Sequence, residues 1–159
     1  MTDDSQVQPE LRRGYYLLLT DGSMQASGRR EIADPPGEAG IGAVLKDSRD
    51  RMVDSLSKAI GPATKDQAEY RALIEGLELA RGFGATRIRV YMDAEYIVDQ
   101  MNDLADANNP QTTDLHDRAR FLLNEFADYR ISWIPREWNK DADRLALEGR
   151  GPDSNLEQT

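Results

Sequence analysis

The chain has no cysteine and one histidine, His116. The first absence excludes disulfide frameworks, thiolate nucleophiles and zinc sites built on thiolates. The second leaves nothing for a histidine-rich metal site and argues against a Ser-His-Asp triad. No apolar run approaches the ~20 residues of a membrane span, and the acidic opening MTDDSQVQPE is no secretory signal. The expectation is a soluble, cytoplasmic protein with no membrane partner. Positive charge is also short, with 20 basic against 29 acidic residues and a net charge of -9. Phosphate binding rests on Lys and Arg, so this balance taken whole speaks against a nucleic-acid partner.

What is present modifies that. The 159 residues, 39% apolar and 31% charged, suit one compact domain able to bury a core without staples. Residues 1–13 are polar and aperiodic and read as a flexible acidic tail. Residues 150–159 read as a second tail, leaving 14–149 as the folded domain. Asp3, Asp4, Glu10, Asp153 and Glu157 lie near the two termini, so residues 11–150 carry only -4 and hold every basic residue.

Within the domain, Tyr15–Thr20 is a continuous apolar run of buried-strand length, ended by Asp21-Gly22. Ala39–Lys46 and Arg51–Ala59 read as two further strands about a turn at 47–50. Asp66–Phe83 is the clearest helix: Ala68, Leu73, Leu77 and Ala80 recur near 3.6 spacing, and Gly82 and Gly84 close it. The strand Arg87–Met92 runs into Asp93. Then come a short helix at Glu95–Asn102, a loop through Asn108-Asn109-Pro110, a helix at Asp114–Phe126, a strand at Arg130–Ile134 and a last helix at Lys140–Leu147. Early strands joined by short turns should pair antiparallel, and strands separated by helices should pair parallel through right-handed crossovers. The expected fold is α/β, a mixed sheet flanked by helices.

Asp21 and Asp93 end apolar strands. If those strands are parallel neighbours, both carboxylates emerge at the crevice where open α/β sheets bind ligands. Each has a plainer reading: Asp21-Gly22 as a hairpin turn, Asp93 as the N-cap of the next helix, which its position alone favours. Glu69 alone reads as an acid complementing a helix dipole, and Asp143 as an exposed helical acid paired with Arg136 or Lys140. Together the four suggest more. Clustered carboxylates repel unless cations neutralise them. Hard divalent ions, above all Mg²⁺, do so, and a pair of them clamps an in-line phosphoryl displacement without a Ser, Cys or His nucleophile.

The stretches TDGS at 20–23, GIGAVL at 40–45, TKDQAEYRALIEGLELA at 64–80, VYMDAEYIV at 90–98 and WIPREWNKDADRLA at 133–146 resemble type 1 ribonuclease H, in its compact archaeal, bacterial and plant-like branch. The resemblance covers roughly residues 15–148, with the motifs in the family's order. It implies a ribonuclease H-like fold with a five-stranded mixed sheet, and hydrolysis of the RNA strand of RNA/DNA hybrids with two Mg²⁺ or Mn²⁺ ions, leaving 5′-phosphate and 3′-hydroxyl ends; a monomer is expected, although the sequence does not give the oligomeric state. It further implies that Asp21 bridges both ions, that Asp143 helps hold the ion activating water, and that Glu69 and Asp93 hold the ion facing the leaving oxygen. Glu69 and the backbone near Gly22 and Ser23 would sense the ribose 2′-OH. Thr64 matches a DNA-phosphate contact, and Lys65, Arg136 and Asn139 complete the expected substrate-facing set.

The chain departs from that family in places. Lys65-Asp66 replaces a usual pair of asparagines, and Ala94 replaces a common serine. An insertion spans about 24–34. The loop before Asn139 lacks a histidine, leaving Arg136 or Glu137 to take over part of its role, and no basic protrusion precedes Leu115. Trp133, alternating with Ile131, is expected in the core; Trp138 fits core or groove equally; His116 is expected on the surface. Two other readings remain: a binding module of feeble activity on this fold, which the acidic surface and Lys65-Asp66 favour, and another nuclease of the same superfold.

Overall fold

The computed structural model describes residues 15–25 and 36–152. The N-terminal tail, most of the C-terminal tail and nearly all of the expected insertion lie outside the described residues. The strands are β1 (Tyr15–Met24), β2 (Gly37–Lys46), β3 (Met52–Ala63), β4 (Arg87–Met92) and β5 (Asp128–Trp133). The helices are α1 (Lys65–Phe83), α2 (Glu95–Met101), α3 (Thr113–Leu123) and α4 (Lys140–Arg150), with a 3₁₀ turn at Arg136–Trp138. The element order is the expected one. The sheet order is β3-β2-β1-β4-β5. β1–β2 and β2–β3 pair antiparallel, whereas β1–β4 and β4–β5 pair parallel.

The boundaries follow local chemistry. Thr64 caps α1 in a capping box with Gln67, and Gly84 ends it at φ 105°, a conformation that costs glycine little. β1 is four residues longer than its apolar run, because Asp21–Met24 continues to pair with β2. The core fills with Leu18, Leu73, Leu77, Ile88, Val90 and Leu122, all fully buried.

Helix α1 packs on one face of the sheet and α4 on the other. Alternation along β1 puts Thr20 and Gly22 toward α1: the Thr20 methyl lies against Gly76, and a Cβ on Gly22 would fall 2.4 Å from the Ala68 carbonyl carbon. Asp21 pairs directly with Gly42, so both face α4, where a Cβ on Gly42 would meet the Ala142 carbonyl oxygen at 2.4 Å. Missing side chains therefore let both helices close onto β1 and β2 with backbone nearly touching backbone. Gly42→Ala is expected to push α4 outward and lower stability by about 1–3 kcal/mol, read as a lower urea midpoint at unchanged m-value.

Two sequence expectations are corrected, and one left open is decided. Trp133 is 47% exposed, because β5 is an edge strand on which only Ile131 is buried. Trp138, which fitted core or groove equally, is exposed on the 3₁₀ turn and so lies outside the core. His116 is mostly covered, its ring set edge-on to that of Tyr70 at 6.3 Å.

Candidate active site

β4 ends at Met92, opposite Thr20 of β1. Asp21 is therefore the first β1 residue past the parallel pairing, and Asp93 is the first residue after β4. They meet where the sheet changes from antiparallel to parallel pairing, at the carboxyl end of β4. Asp21 lies inside β1 and not beyond its end, which removes the hairpin-turn reading. The N-cap of α2 is Ala94, with no side-chain cap, so Asp93 is not spent on capping.

Glu69 arrives from α1. It is the fifth residue of the helix, past the first turn where a dipole contribution is largest. The close approach at Gly22 brings it to the sheet, where its Oε1 accepts the Gly22 N–H at 3.1 Å. Carboxylate oxygens of Asp21, Glu69 and Asp93 all lie within 4.8 Å of one another. Asp143, from the first turn of α4, comes within hydrogen-bonding reach of Asp21, and its Oδ1 lies 3.8 Å from Arg136.

Asn139 explains how α4 is aimed. Its side-chain N–H donates to the Thr20 carbonyl at 3.0 Å, and its own carbonyl accepts the Asp143 N–H at 3.0 Å. The start of α4 is thereby tied to the residue preceding Asp21. Asn139 is fully buried, and its side-chain N–H is taken up in holding this frame. Thr64 is likewise buried, and its hydroxyl oxygen accepts the Gln67 N–H as the cap of α1. Ser23 is buried as well. Of the substrate-facing set, Lys65 and Arg136 line the cleft in front of the carboxylates, an open space of about 340 Å³.

That cleft also holds Asp66 and Tyr96, to which the sequence assigned no role. Tyr96 carried a signal: it is an aromatic outside the buried stripe Ile97, Val98 and Met101 of α2, and it is more than half exposed.

Burial pushes the Asp21 carboxyl up to about 9, and Glu69, Asp93 and Asp143 add to the rise while Lys65 opposes it. Burial also raises Glu69, against the pull of Lys65 and the Gly22 N–H. Burial alone would lower the Lys65 ammonium, but Glu69 and Asp21 outweigh it and raise it. Acids held this close, two of them buried, need positive charge. Their donors are all hard oxygens, which fits a hard divalent cation, and the protein's own ammonium already sits against them.

A five-stranded mixed sheet in this order, with clustered acids where β1 and β4 part, defines the ribonuclease H-like class of proteins. A family described as "Reverse transcriptase-like" matches residues 31–149. Ribonuclease HI of Halobacterium salinarum is 40% identical over 142 residues, 89% of this chain and 67% of that protein. The crystal structure of RNase H1 from the same archaeon superposes with a TM-score of 0.78 at 34% identity, covering 92% of this chain and all of that one. LC11-RNase H1, solved in complex with an RNA/DNA hybrid, gives a TM-score of 0.74 at 30% identity, over 91% of this chain and 99% of that one. A bifunctional protein of Mycobacterium tuberculosis is 42% identical over 112 residues, 70% of this chain, although the match spans only 31% of that longer protein. The chain belongs to the ribonuclease HI family.

Proposed function

We propose that the chain hydrolyses the RNA strand of RNA/DNA hybrids, without sequence specificity, using two divalent cations, Mg²⁺ with Mn²⁺ as substitute. The observation that carries this reading is the close Asp21–Glu69–Asp93 group, with Asp21 and Glu69 buried and Asp93 half-buried, joined by Asp143 from the opposite helix, at the head of an open cleft. The hybrid-bound relative supports the substrate class. In the reaction, water attacks the scissile phosphorus, the bond to the 3′ oxygen breaks, and that oxygen takes up a proton. The products are a 5′-phosphate and a 3′-hydroxyl.

Asp21, Glu69, Asp93 and Asp143 would hold the cations, Asp21 being central to the group. The cations supply activation of water and neutralisation of charge at the attacked and leaving oxygens. Glu69 is oriented by the Gly22 N–H, and Asp143 by the Asn139 tie, so neither must reorganise on binding. Lys65 and Arg136, both at the cleft, contribute positive charge toward the phosphate backbone. Glu69 and the backbone near Gly22 and Ser23 would sense the ribose 2′-OH that separates RNA from DNA.

The acidity of the chain then reads differently. Residues 11–150 carry -4, and two divalent ions bring them to about neutral. Modest, salt-sensitive hybrid affinity follows. A labelled RNA/DNA hybrid, with RNA and DNA duplexes alongside, tests the reading in Mg²⁺ and in Mn²⁺. Cutting confined to the RNA strand of the hybrid and abolished by EDTA is expected. Absence of metal-dependent hybrid cleavage would overturn it in favour of a binding module.

A further inference from the structure

Lys65 is the first residue of α1 and lies four positions before Glu69, so the two side chains share a helix face. Its ammonium is 3.0 Å from Glu69 Oε2 and also donates to the Gly22 carbonyl. Helix energetics do not place a lysine there. A cation at a helix N-terminus opposes the dipole, and Lys preceding Glu is the poorer order for such a pair. The carboxylate group supplies the compensation. Glu69 is nearly fully buried, whereas the Lys65 side chain is half exposed on a flexible four-carbon stem, so the ammonium can leave without moving the main chain.

We propose that Lys65 is a resident counterion of the acidic group: its ammonium holds a cation position beside Glu69 in the metal-free protein and is displaced when a divalent ion binds. The inference rests on the reading of this group as a metal site. It makes metal affinity weaker than the four acids alone would give, because an ammonium tethered here competes with and repels the incoming ion. Once displaced, the ammonium remains at the cleft, facing the phosphates of a bound hybrid, and so couples metal entry to substrate binding.

The test is calorimetric titration of Mn²⁺ into the metal-stripped full chain, comparing wild type with Lys65→Met, Lys65→Gln and the charge-keeping Lys65→Arg. The two neutral variants should bind Mn²⁺ about tenfold more tightly or better, and Lys65→Arg should stay near wild type. Melting in EDTA and in saturating Mn²⁺ provides the second readout. The neutral variants should melt below wild type in EDTA, where Glu69 loses its counter-charge, and at or above wild type with Mn²⁺. A merely structural lysine would lower both. Mn²⁺ affinity equal to or weaker than wild type in the neutral variants would overturn this inference alone. Failure of wild type and neutral variants alike to bind Mn²⁺ would overturn the metal reading and this inference with it.

Discussion

Asp21→Asn is expected to lower hybrid cleavage by about 10³-fold or more while making the metal-free protein harder to melt. The first effect follows from position. Asp21 is the acid that the other three surround, one strand position from Thr20, to which Asn139 anchors α4, and opposite Gly42, over which α4 closes. An amide offers a weaker, neutral donor, and the loss of several kcal/mol of charge stabilisation at ~1.4 kcal/mol per decade gives that factor. The second effect follows from electrostatics. Asparagine keeps the shape and removes a buried carboxyl that is costly to ionise beside Glu69 and Asp93. A gain of about 5 °C in EDTA is expected for a domain this size. Substantial activity in the variant, with metal affinity unchanged, would show that Asp21 is not a ligand. Together the two readouts separate a functional acid, retained at a cost in stability, from a structural one whose loss would lower both.

The second large effect is an inverted dependence of stability on pH. Asp21 is raised from 3.8 to about 9, so its neutral form is favoured in the folded state. Below about pH 4 it is protonated in both states and contributes no difference. Between about 4 and 9 the unfolded chain gives up the proton and the folded chain resists doing so. Stability therefore falls with rising pH, by at most ~1.4 kcal/mol per unit, and levels off above 9. The upward shift of Glu69 acts in the same sense. Asp47, lowered by backbone N–H groups of Arg51 and Arg49 despite some burial, and Asp128, lowered by Arg89, act in the opposite sense, but only at the acid end. Urea unfolding in EDTA from pH 5 to 8.5 should show a falling midpoint, flattened in Asp21→Asn. In saturating Mn²⁺ the slope should reverse, because ligands that must lose protons bind metal better at high pH. A metal-free midpoint that holds level or climbs over that range would contradict the proposed electrostatics.

Much of the fold was legible because its elements carry strong local signals. The stripe of α1, the apolar run of β1 and the alternation of β4 specify their states through burial on one face or two. Element order then constrained the topology through short antiparallel links and right-handed crossovers. Boundaries were less legible: β1 continues through Asp21 to Met24 because β2 supplies hydrogen bonds, which a hydrophobicity pattern does not register. Trp133 was misplaced because alternation identifies a strand but not whether it lies at the edge.

The acids divide in the same way. Their identities and their places at strand and helix ends are written in the sequence, as is the shortage of histidine and cysteine that turns attention to them. One at a time, each had a plainer explanation as turn, cap or dipole partner. Only packing decided otherwise. Gly22 admits α1, Gly40 and Gly42 admit α4, and Asn139 ties α4 to β1, so residues up to 122 positions apart converge on one point at the head of the cleft. The sequence by itself determined which groups were available and which elements carry them. Their meeting, the rise of Asp21 and the turning of Lys65 toward Glu69 were decided by the tertiary structure, because desolvation and charge repulsion exist only once the chain has brought these groups together.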